Sequence, residues 1–342
     1  MKNYTGLVLY SGGLDSFIAA HLLKTLGYNI ILISFKSHFF RKNTIEGVHK
    51  KVIGEFEFDN YVYDVSDEFI EVLKKPSFGY GKNLNPCIDC KIFMLKKAKQ
   101  LMKEFKADFI ATGEVLDQRP KSQKMYGLQN ILKQADVKDV LVRPLSIRYL
   151  RPNALEEKGI IDRNEIIDII QIHGRSRTKQ IDYAKKHNMT GYSTPSGGCL
   201  LTHSEYCRKL KILFDYNIND SLEFDLLTFG RNFNISHPYG YKKLIVGKDE
   251  KINNELSEIP EGIKIFVKDF KYPGPISLLI ADFDNLTEQE LNIIGNIHLH
   301  YSDARNTDGE HEITFQLENT QKNVKIDFIY ENAKVIVEKY RL

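Results

Sequence analysis

The stretch Ser11-Gly12-Gly13-Leu14-Asp15-Ser16 lies between two segments of different character and decides the fold. Before it, Gly6 to Tyr10 is a short apolar run typical of a buried strand. After it, Phe17 to Leu26 places apolar residues at helical spacing. Glycines at such a turn let the backbone approach a ligand, and the following helix N-terminus suits a phosphate. The stretch, called here the SGG loop, therefore predicts a phosphate-binding site.

Each polar residue of the SGG loop has a predicted role. Ser11 and Ser16 offer hydroxyl hydrogen bonds, and Gly12 and Gly13 leave room for a nucleotide. Asp15 is an anion that repels bare phosphate, so we expect it to orient Mg²⁺ or to cap the helix. The alternative is an ordinary glycine turn in which Asp15 is only a cap.

Further segments extend the same strand and helix pattern. Asn29 to Phe35, Asn60 to Val65 and Asp108 to Thr112 are strand-like, and Ile92 to Phe105 is helical. Because strands alternate with helices, we predict an α/β fold with a Rossmann-like parallel sheet that is covered on both faces.

The pattern changes toward the C-terminus. Asp162 to Lys186 is helical in pattern, whereas short apolar runs alternate with turns after about Asp220. We predict a first domain at residues 1–215 and a smaller α+β domain at residues 220–342. The predicted strands of the second domain are Lys243–Val246, Ile263–Val267, Ile276–Ala281, Ile313–Leu317 and Val324–Ile329, with His298 and His300 on one face of another.

The bulk composition is that of a globular protein. The chain has 342 residues, of which 42% are hydrophobic and 27% charged, and its net charge is +3. Apolar runs are too short for a membrane span, and the first residues lack a signal-peptide pattern, so we expect a cytoplasmic protein. Charge alone neither indicates nor excludes an RNA partner.

SGGLDS resembles the signature of the PP-loop, or N-type, ATP pyrophosphatase superfamily. Members of that superfamily cleave ATP between the α- and β-phosphates, adenylate a carbonyl oxygen and displace AMP with a nitrogen or sulfur nucleophile. The resemblance implies a Rossmann-like sheet, with adenine near the end of the second strand at Ser34 and Phe35.

Thr112 to Gln123 (TGEVLDQRPKSQ) resembles a stretch of the ThiI-type tRNA 4-thiouridine synthetases, with Asp117 where a glycine is expected. By its place after a strand, this segment faces the ATP site. The resemblance implies that Gly113 and Gln118 contact ATP or the target base, and that Glu114 binds a metal or holds the loop.

Two further strings narrow the family. Asn85 to Lys91 (NPCIDCK) is similar to a string in tRNA 2-thiouridylases, and Pro195 to Thr202 (PSGGCLLT) recurs in PP-loop proteins of tRNA thiolation. The resemblance covers residues 1–215.

Three cysteines of this region fit a metal centre. Cys87 and Cys90 are two residues apart, and Cys199 follows glycines, so together they match a [4Fe–4S] cluster with one iron open to sulfide. One alternative is persulfide chemistry at Cys87 and Cys199, and another is zinc held by all four cysteines. Unless it binds zinc, Cys207 is expected to be a buried thiol that packs among apolar residues. Asp89 is either a general base for the target base or solvent-exposed.

Arginines near the expected catalytic face indicate RNA contact. They are Arg143, Arg148, Arg151, Arg175 and Arg177, with Tyr149 as a stacking partner. The alternative is that Arg143 and Arg148 pair with Glu156 or Asp162. Lys243 to Glu250, with Asn253 and Asn254, resembles the RNA-binding NFACT-R module, which implies phosphate contacts for Arg231 and Lys248.

The leading hypothesis is ATP-dependent tRNA thiolation at a uridine carbonyl. It implies ATP, Mg²⁺ and a [4Fe–4S] cluster, with zinc as the alternative metal. The expected partners are tRNA and a sulfur donor, either sulfide or a carrier linked to a cysteine desulfurase. No membrane partner is expected, and a homodimer is compatible with the sequence. The rival hypotheses are a small-molecule amide or nitrile former with structural zinc, and an RNA-binding adaptor without catalysis.

Overall fold

The computed structural model describes residues 2–40, 46–193, 199–260, 262–268, 272–317 and 320–342. The chain divides into two compact units, Met1–Ser204 and Glu205–Leu342. The boundary lies before the segment 205–215 that the sequence assigns to the first domain. Among the described residues, no helix combines the length and the hydrophobicity needed to cross a bilayer.

The first unit is built around a six-stranded sheet with the order β3-β4-β2-β1-β5-β6. All neighbouring strands are parallel except β3 and β4, which form an antiparallel hairpin at the edge. The strands are β1 (Thr5–Leu9), β2 (Asn29–Lys36), β3 (Gly47–Ile53), β4 (Phe56–Asp64), β5 (Phe109–Thr112) and β6 (Leu141–Val142). The α-helices are α1 (Leu14–Thr25), α2 (Ser66–Lys74), α3 (Cys87–Glu104), α4 (Met125–Gln134), α5 (Ala154–Glu157), α6 (Arg163–Ile169) and α7 (Thr178–Lys186).

Alternate residues of β1 face two separate cores, so helices cover both faces of the sheet. Val8 packs in one core with Phe17 of α1, whereas Leu7 and Leu9 pack in the other with Leu95 of α3. The predicted parallel α/β sheet is therefore confirmed. The predicted helix at residues 162–186 is wrong in part, because residues 170–177 interrupt it.

The second unit contains a six-stranded antiparallel sheet with the order β12-β11-β9-β10-β8-β7. Its strands are β7 (Arg231–Asn234), β8 (Lys243–Val246), β9 (Ile263–Val267), β10 (Ser277–Ile280), β11 (Gly309–Leu317) and β12 (Thr320–Phe328). Its α-helices are α8 (Ser204–Asp215), α9 (Ser221–Leu226), α10 (Glu250–Glu258), α11 (Glu288–His300) and α12 (Tyr330–Tyr340). The predicted α+β character of this part is confirmed.

The predicted strand carrying His298 and His300 is wrong, because both residues lie on α11. Thr287 and Glu290 form a reciprocal capping box that starts this helix. The buried residues Ile293, Ile294 and Ile297 then recur at helical spacing. The alternating apolar and histidine residues of IHLH are the last residues of this helix, where its buried apolar face ends.

Candidate functional site

The SGG loop joins β1 to α1 and folds on itself. Gly12 adopts a positive φ of 69°, and Gly13 precedes the first residue of the helix. The Ser16 hydroxyl donates to the Gly13 carbonyl over 2.7 Å and lies 3.4 Å from the Ser11 hydroxyl. Ser193 fixes the loop from outside, since its backbone N–H donates to the Gly12 carbonyl over 2.8 Å. The loop thus presents two hydroxyls at a helix N-terminus, an arrangement suited to phosphate.

The carboxylate of Asp15 is held by two glutamines and does not cap α1. Gln118 Nε2 donates to Asp15 Oδ2 over 2.6 Å, and Gln180 Nε2 lies 3.4 Å from Asp15 Oδ1. Gln180 Nε2 also donates to Gln118 Oε1 over 2.9 Å. Gln180 is fully buried on α7, and it is a residue that the sequence did not indicate. Gln180 is 165 positions away from Asp15 in the sequence, so its role becomes visible only from the contact in the fold.

Gly113 brings the end of β5 against the SGG loop. A Cβ atom at this position would lie 2.5 Å from the carbonyl carbon and oxygen of Asp15, so only glycine permits the approach. The contact of Gly113 is thus with the loop backbone. Asp117 takes a positive φ of 64°, in a region of backbone conformation that glycine adopts without strain. The position that carries Asp117 in place of the expected glycine therefore has a backbone that suits glycine.

Ser34 and Phe35 lie at the end of β2, as predicted, and point in different directions. The Ser34 hydroxyl lies 3.0 Å from the Tyr10 carbonyl and 2.8 Å from Asn60 Oδ1, inside the protein. Phe35 lines a cavity of about 450 Å³ together with Tyr63. The adenine contacts of Ser34 and Phe35 stay a prediction.

Asn85 brings together thiols from two distant parts of the first unit. Cys87 donates to Asn85 Oδ1, and Asn85 Nδ2 donates to Cys199 Sγ over 3.2 Å. Cys87 and Cys90 occupy the first turn of α3, which begins five residues earlier than predicted. Cys199 is fixed by an isolated antiparallel bridge to Phe40. Pro195 to Gly198 of the predicted motif lie outside the described residues.

The charges around these thiols suit an anionic metal centre. Burial raises the pKa of Cys87, whereas the cations Arg119, Lys91 and Lys121 act in the opposite direction. Burial also raises the pKa of Cys90, and the neighbouring Cys199 and Cys87 thiols add to the effect. The raised pKa values keep Cys87 and Cys90 protonated near neutral pH, so binding of a metal must displace their protons.

The described thiols are spaced more widely than the sulfurs of a closed zinc site. A tetrahedral zinc site with Zn–S bonds of about 2.3 Å places its sulfurs about 3.8 Å apart. Among the described residues, no group of three thiols lies within 4.8 Å. Three thiols are also the kind of donor set that holds an iron–sulfur cluster, so Cys87, Cys90 and Cys199 fit that group by their chemistry. The four cysteines are thiols and not disulfides, and Cys207 is buried in the second unit.

Asp89 requires a correction. Its carboxylate is buried and accepts backbone hydrogen bonds from Ser77 over 2.8 Å and from Phe78 over 3.1 Å. These bonds hold the segment before the cysteines and leave Asp89 neither solvent-exposed nor directed at a substrate. The role of general base is therefore not supported by its position.

Glu114 and Arg143 form a buried ion pair beneath the loop at residues 113–124. Arg143 Nε donates to Glu114 Oε2 over 2.9 Å, and both side chains are at most 3% exposed. Burial opposes ionisation of Glu114, but the nearby Arg143 outweighs it and lowers the pKa of this carboxyl. Of the two predicted roles for Glu114, the geometry favours holding the loop. The predicted RNA contact of Arg143 is wrong, because its side chain is buried in this ion pair. The alternative, a pairing of Arg143 with a carboxylate, is confirmed with Glu114 as the partner, whereas Glu156 pairs with Arg163.

The loop before α7 contacts the loop after β5. The Gly174 N–H donates to the Leu116 carbonyl over 2.8 Å, and His173 Nε2 lies 2.8 Å from Asp117 Oδ2. The ring of Tyr149, 41% exposed, lies 5.1 Å from the His173 ring. Of the residues predicted to contact RNA, four are exposed: Arg148, Tyr149, Arg151 and Arg175. Arg177 is half-buried, and Arg143 is buried.

In the second unit, Arg231 has an internal role. Its Nη1 donates to the Gly247 carbonyl over 2.8 Å, and its guanidinium lies 4.4 Å from the centre of the Tyr301 ring. A phosphate contact for Arg231 is therefore not supported, whereas Lys248 is exposed.

Comparison with known proteins supports the assignment of the first unit. The model of the family described as "Thiamine biosynthesis protein (ThiI)" matches residues 2–150. A tRNA-specific 2-thiouridylase MnmA of Helicobacter hepaticus is 32% identical over 141 residues, which are 38% of this chain and 38% of that protein. A second MnmA, from Nitratiruptor sp., is 25% identical over 286 residues, covering 76% of this chain and 80% of that protein.

These likenesses have limits in length and in structure. The chain spans less than two fifths of the length of the first curated relatives that it matches. A solved structure, a predicted subunit of tRNA methyltransferase from Methanocaldococcus jannaschii, is 17% identical and covers 58% of this chain and 96% of its own. Its TM-score of 0.28 is too low to establish a common fold. The first unit is thus similar in sequence to the ThiI family and to tRNA-specific 2-thiouridylases, which agrees with its predicted resemblance to the tRNA-thiolation branch of the PP-loop ATP pyrophosphatase superfamily.

Proposed function

We propose that this chain is an ATP-dependent tRNA sulfurtransferase that replaces a uridine carbonyl oxygen with sulfur. The observation that carries the proposal is that one compact unit contains both of two groups of residues. The SGG loop, with Asp15 held by Gln118, is built for ATP, and Asn85 joins the thiols of Cys87 and Cys199. The likeness to 2-thiouridylases links this pairing to tRNA.

The first half of the proposed reaction uses the SGG loop. Ser11, Ser16 and the N-terminus of α1 bind the phosphates of ATP, and Asp15 orients Mg²⁺ against them. The base carbonyl oxygen attacks the α-phosphorus, and the bond to the β-phosphate breaks. Pyrophosphate leaves and an adenylated base remains. Gln118 and Gln180 keep Asp15 in one orientation, because each amide contacts a different carboxylate oxygen.

In the second half, a sulfur nucleophile adds to the activated carbon. AMP then leaves with the original carbonyl oxygen, and the sulfur loses its proton. Cys87, Cys90 and Cys199 would hold a [4Fe–4S] cluster, which supplies a Lewis-acidic iron for sulfide. Asn85 positions two of these thiols, and Lys91 and Arg119 offset the negative charge of the centre. The sulfur itself comes from sulfide or from a carrier protein.

The tRNA would lie along the rim near residues 173–177. Arg175 is exposed, and its neighbour Gly174 donates a backbone hydrogen bond to Leu116. Leu116 belongs to the loop after β5, which also contains Gln118. An arginine there contacts phosphate while the target base enters the site, and the exposed Tyr149 ring offers a stacking surface. We place the RNA contacts at Arg175 and Tyr149, with Arg177 in support.

An isotope experiment tests the adenylation step. Two tRNA transcripts carry ¹⁸O in the uracil carbonyls, one at C2 and one at C4, and each is incubated with ATP, sulfide and the anaerobically purified protein. The account predicts one ¹⁸O atom in each AMP released from one of the transcripts, which also identifies the modified carbonyl. Label that stays in the RNA, or that is released as water, would contradict the proposal. Asp15→Ala is the control that should form no labelled AMP.

Iron and acid-labile sulfide contents test the cluster separately. We expect about four of each per chain in the wild type, lost in Cys199→Ala and retained in the matched variant Cys207→Ala. If the wild type thiolates tRNA without containing iron, and Cys199→Ala does not thiolate it, persulfide chemistry at Cys87 and Cys199 would be favoured. Stoichiometric zinc would favour the zinc alternative.

A further inference from the structure

A second group of metal-binding side chains lies away from the thiols. His21 on α1, Glu55 in the turn between β3 and β4, and His187 directly after α7 each offer one ligand atom within 4.8 Å of the others. His21 is fully buried, whereas Glu55 is exposed. Two imidazoles and a carboxylate from three separate elements are the donor set of many zinc sites.

The surroundings of His21 favour a ligand at its Nε2 atom. Its Nδ1 atom lies 3.0 Å from the Tyr183 hydroxyl, and its Nε2 atom lies 2.9 Å from Glu55 Oε2. A histidine that ligates a metal usually bonds through its other nitrogen to a neighbouring polar group, which fixes the ring and its tautomer. Tyr183 occupies that position.

The spacing needs little change to admit an ion. Tetrahedral bonds of about 2.1 Å to nitrogen and oxygen place two ligand atoms about 3.4 Å apart. The present 2.9 Å between His21 Nε2 and Glu55 Oε2 would therefore widen by about half an ångström. Because Glu55 is 56% exposed, its side chain has room to make this adjustment.

We propose that His21, Glu55 and His187 form a binding site for a divalent transition-metal ion such as Zn²⁺. The ion cross-links α1, α7 and the β3–β4 hairpin, and solvent completes its coordination. Metal binding replaces the hydrogen bond between His21 Nε2 and Glu55, and the imidazole proton then lies on Nδ1, from which it is donated to the Tyr183 hydroxyl.

The position of the site gives the cross-link a structural purpose. Helix α1 carries Asp15 in its first turn and His21 further along. Helix α7 carries Gln180, and His187 follows its last residue. The Asp15–Gln180 contact and the proposed metal site therefore join the same two helices at two separate points. A bound ion would hold the helices in the register that places Gln180 beside Asp15.

Cobalt titration tests the site in the full-length, tag-free protein purified anaerobically. Co²⁺ at nitrogen and oxygen ligands gives visible d–d bands, whereas Co²⁺ at cysteine adds thiolate charge-transfer bands in the near ultraviolet. The spectrum thus separates this site from the thiols. Glu55→Gln and His187→Ala each remove one ligand, and Glu57→Gln alters an exposed carboxylate of the same hairpin as the matched control.

We expect one Co²⁺ per chain without charge-transfer bands, displaced by Zn²⁺. Each ligand variant should weaken binding at least about tenfold, and Glu57→Gln should leave it unchanged. Zn²⁺ should also raise the unfolding temperature of the wild type and not that of Glu55→Gln. Binding only with charge-transfer bands, no binding, or equal binding by Glu55→Gln and the wild type would overturn the proposal. Glu55 is at the surface, so Glu55→Gln remains decisive if His187→Ala misfolds.

Discussion

Asn85 and Cys199 are 114 positions apart, and the Asn85 amide donates a hydrogen bond to the Cys199 sulfur over 3.2 Å. The same side chain accepts from Cys87, so one amide touches thiols from α3 and from the segment beginning at residue 199. An amide with one acceptor and one donor can satisfy both thiols at once. Asn85 is therefore a positioning residue for the proposed metal centre.

Asn85→Ala should loosen that centre without removing a ligand. We expect iron to be lost to a chelator roughly 10- to 100-fold faster, because partners of metal ligands typically contribute that much to metal affinity. The measurement is the rate of bleaching of the cluster absorption under anaerobic conditions. Asn83→Gly is the matched control, since Asn83 bonds to the Thr202 carbonyl in the same region and takes a positive φ that glycine tolerates. Equal rates in Asn85→Ala and the wild type would contradict the assignment.

Gln118→Ala should slow ATP cleavage. It removes a 2.6 Å hydrogen bond to the Asp15 carboxylate, and hydrogen bonds to charged groups contribute about 1.5–3 kcal/mol. If that bond positions Asp15 in the transition state, AMP release should fall about 10- to 100-fold. The check is AMP formation at saturating ATP and tRNA, with the exposed Gln134→Ala at the end of α4 as the control. An unchanged rate in Gln118→Ala would show that the hydrogen bond from Gln118 to Asp15 does not contribute to ATP cleavage.

Arg175→Ala should weaken tRNA binding in a salt-dependent manner. Loss of one phosphate contact reduces the slope of the logarithm of affinity against the logarithm of salt concentration by about 1. Filter binding between low and moderate salt measures this slope. Lys138→Ala removes an exposed cation just before β6, which runs parallel to β5, so Lys138 lies at the end of these strands opposite to the loop that follows β5. This variant should leave the slope as it is. Equal slopes for the two variants would contradict a phosphate contact at Arg175.

Glu290 provides a pH-dependent contribution to the stability of the second unit. Burial opposes its ionisation, but hydrogen bonds from Lys242 and Ser236 outweigh that effect and hold its pKa at about 2. A lowered pKa stabilises the folded state above the ordinary value of 4.5, and this stabilisation is lost as the pH falls toward 2. We expect Glu290→Gln to lower the free energy of unfolding by about 2 kcal/mol at pH 7.

Urea unfolding of the wild type and Glu290→Gln at several pH values checks this contribution. The difference between the two proteins should be constant above pH 5 and should narrow below about pH 4.5. Glu288→Gln, on the exposed first turn of α11, is the control. A difference that stays constant down to pH 3 would show that Glu290 acts through packing alone.

The parts of the structure that were predictable from sequence are those set by local pattern. The β1 strand, the SGG loop and α1 follow from one uninterrupted run of residues, and so do β2 and β5. Strand β3 and the first residues of β4 were missed, whereas Asn60 to Val65 was predicted as a strand. Most residues of β3 are exposed, so the strand lacks the regular alternation of apolar and polar residues that indicates a half-buried strand. His298 was misplaced because four alternating residues suit either a strand or the end of a helix.

The site was predictable in its residue types and less so in its contacts. The motif residues of the SGG loop and the three cysteines were found by spacing, but nothing local indicates Gln180 or the bridging role of Asn85. Such contacts depend on how distant elements pack. Asp89 shows the converse, since its place between two cysteines suggested catalysis, whereas its carboxylate binds the backbone of Ser77 and Phe78.

The most direct test of tRNA thiolation by this protein is the thionucleoside content of tRNA treated with the purified protein. Unmodified tRNA is incubated anaerobically with ATP and sulfide, digested, and analysed by mass spectrometry beside reactions with Asp15→Ala and Cys199→Ala. We expect a thiouridine in the wild-type reaction, one AMP for each sulfur incorporated, and no thiouridine with either variant. A wild-type protein that releases AMP from ATP and tRNA yet forms no thionucleoside would contradict it.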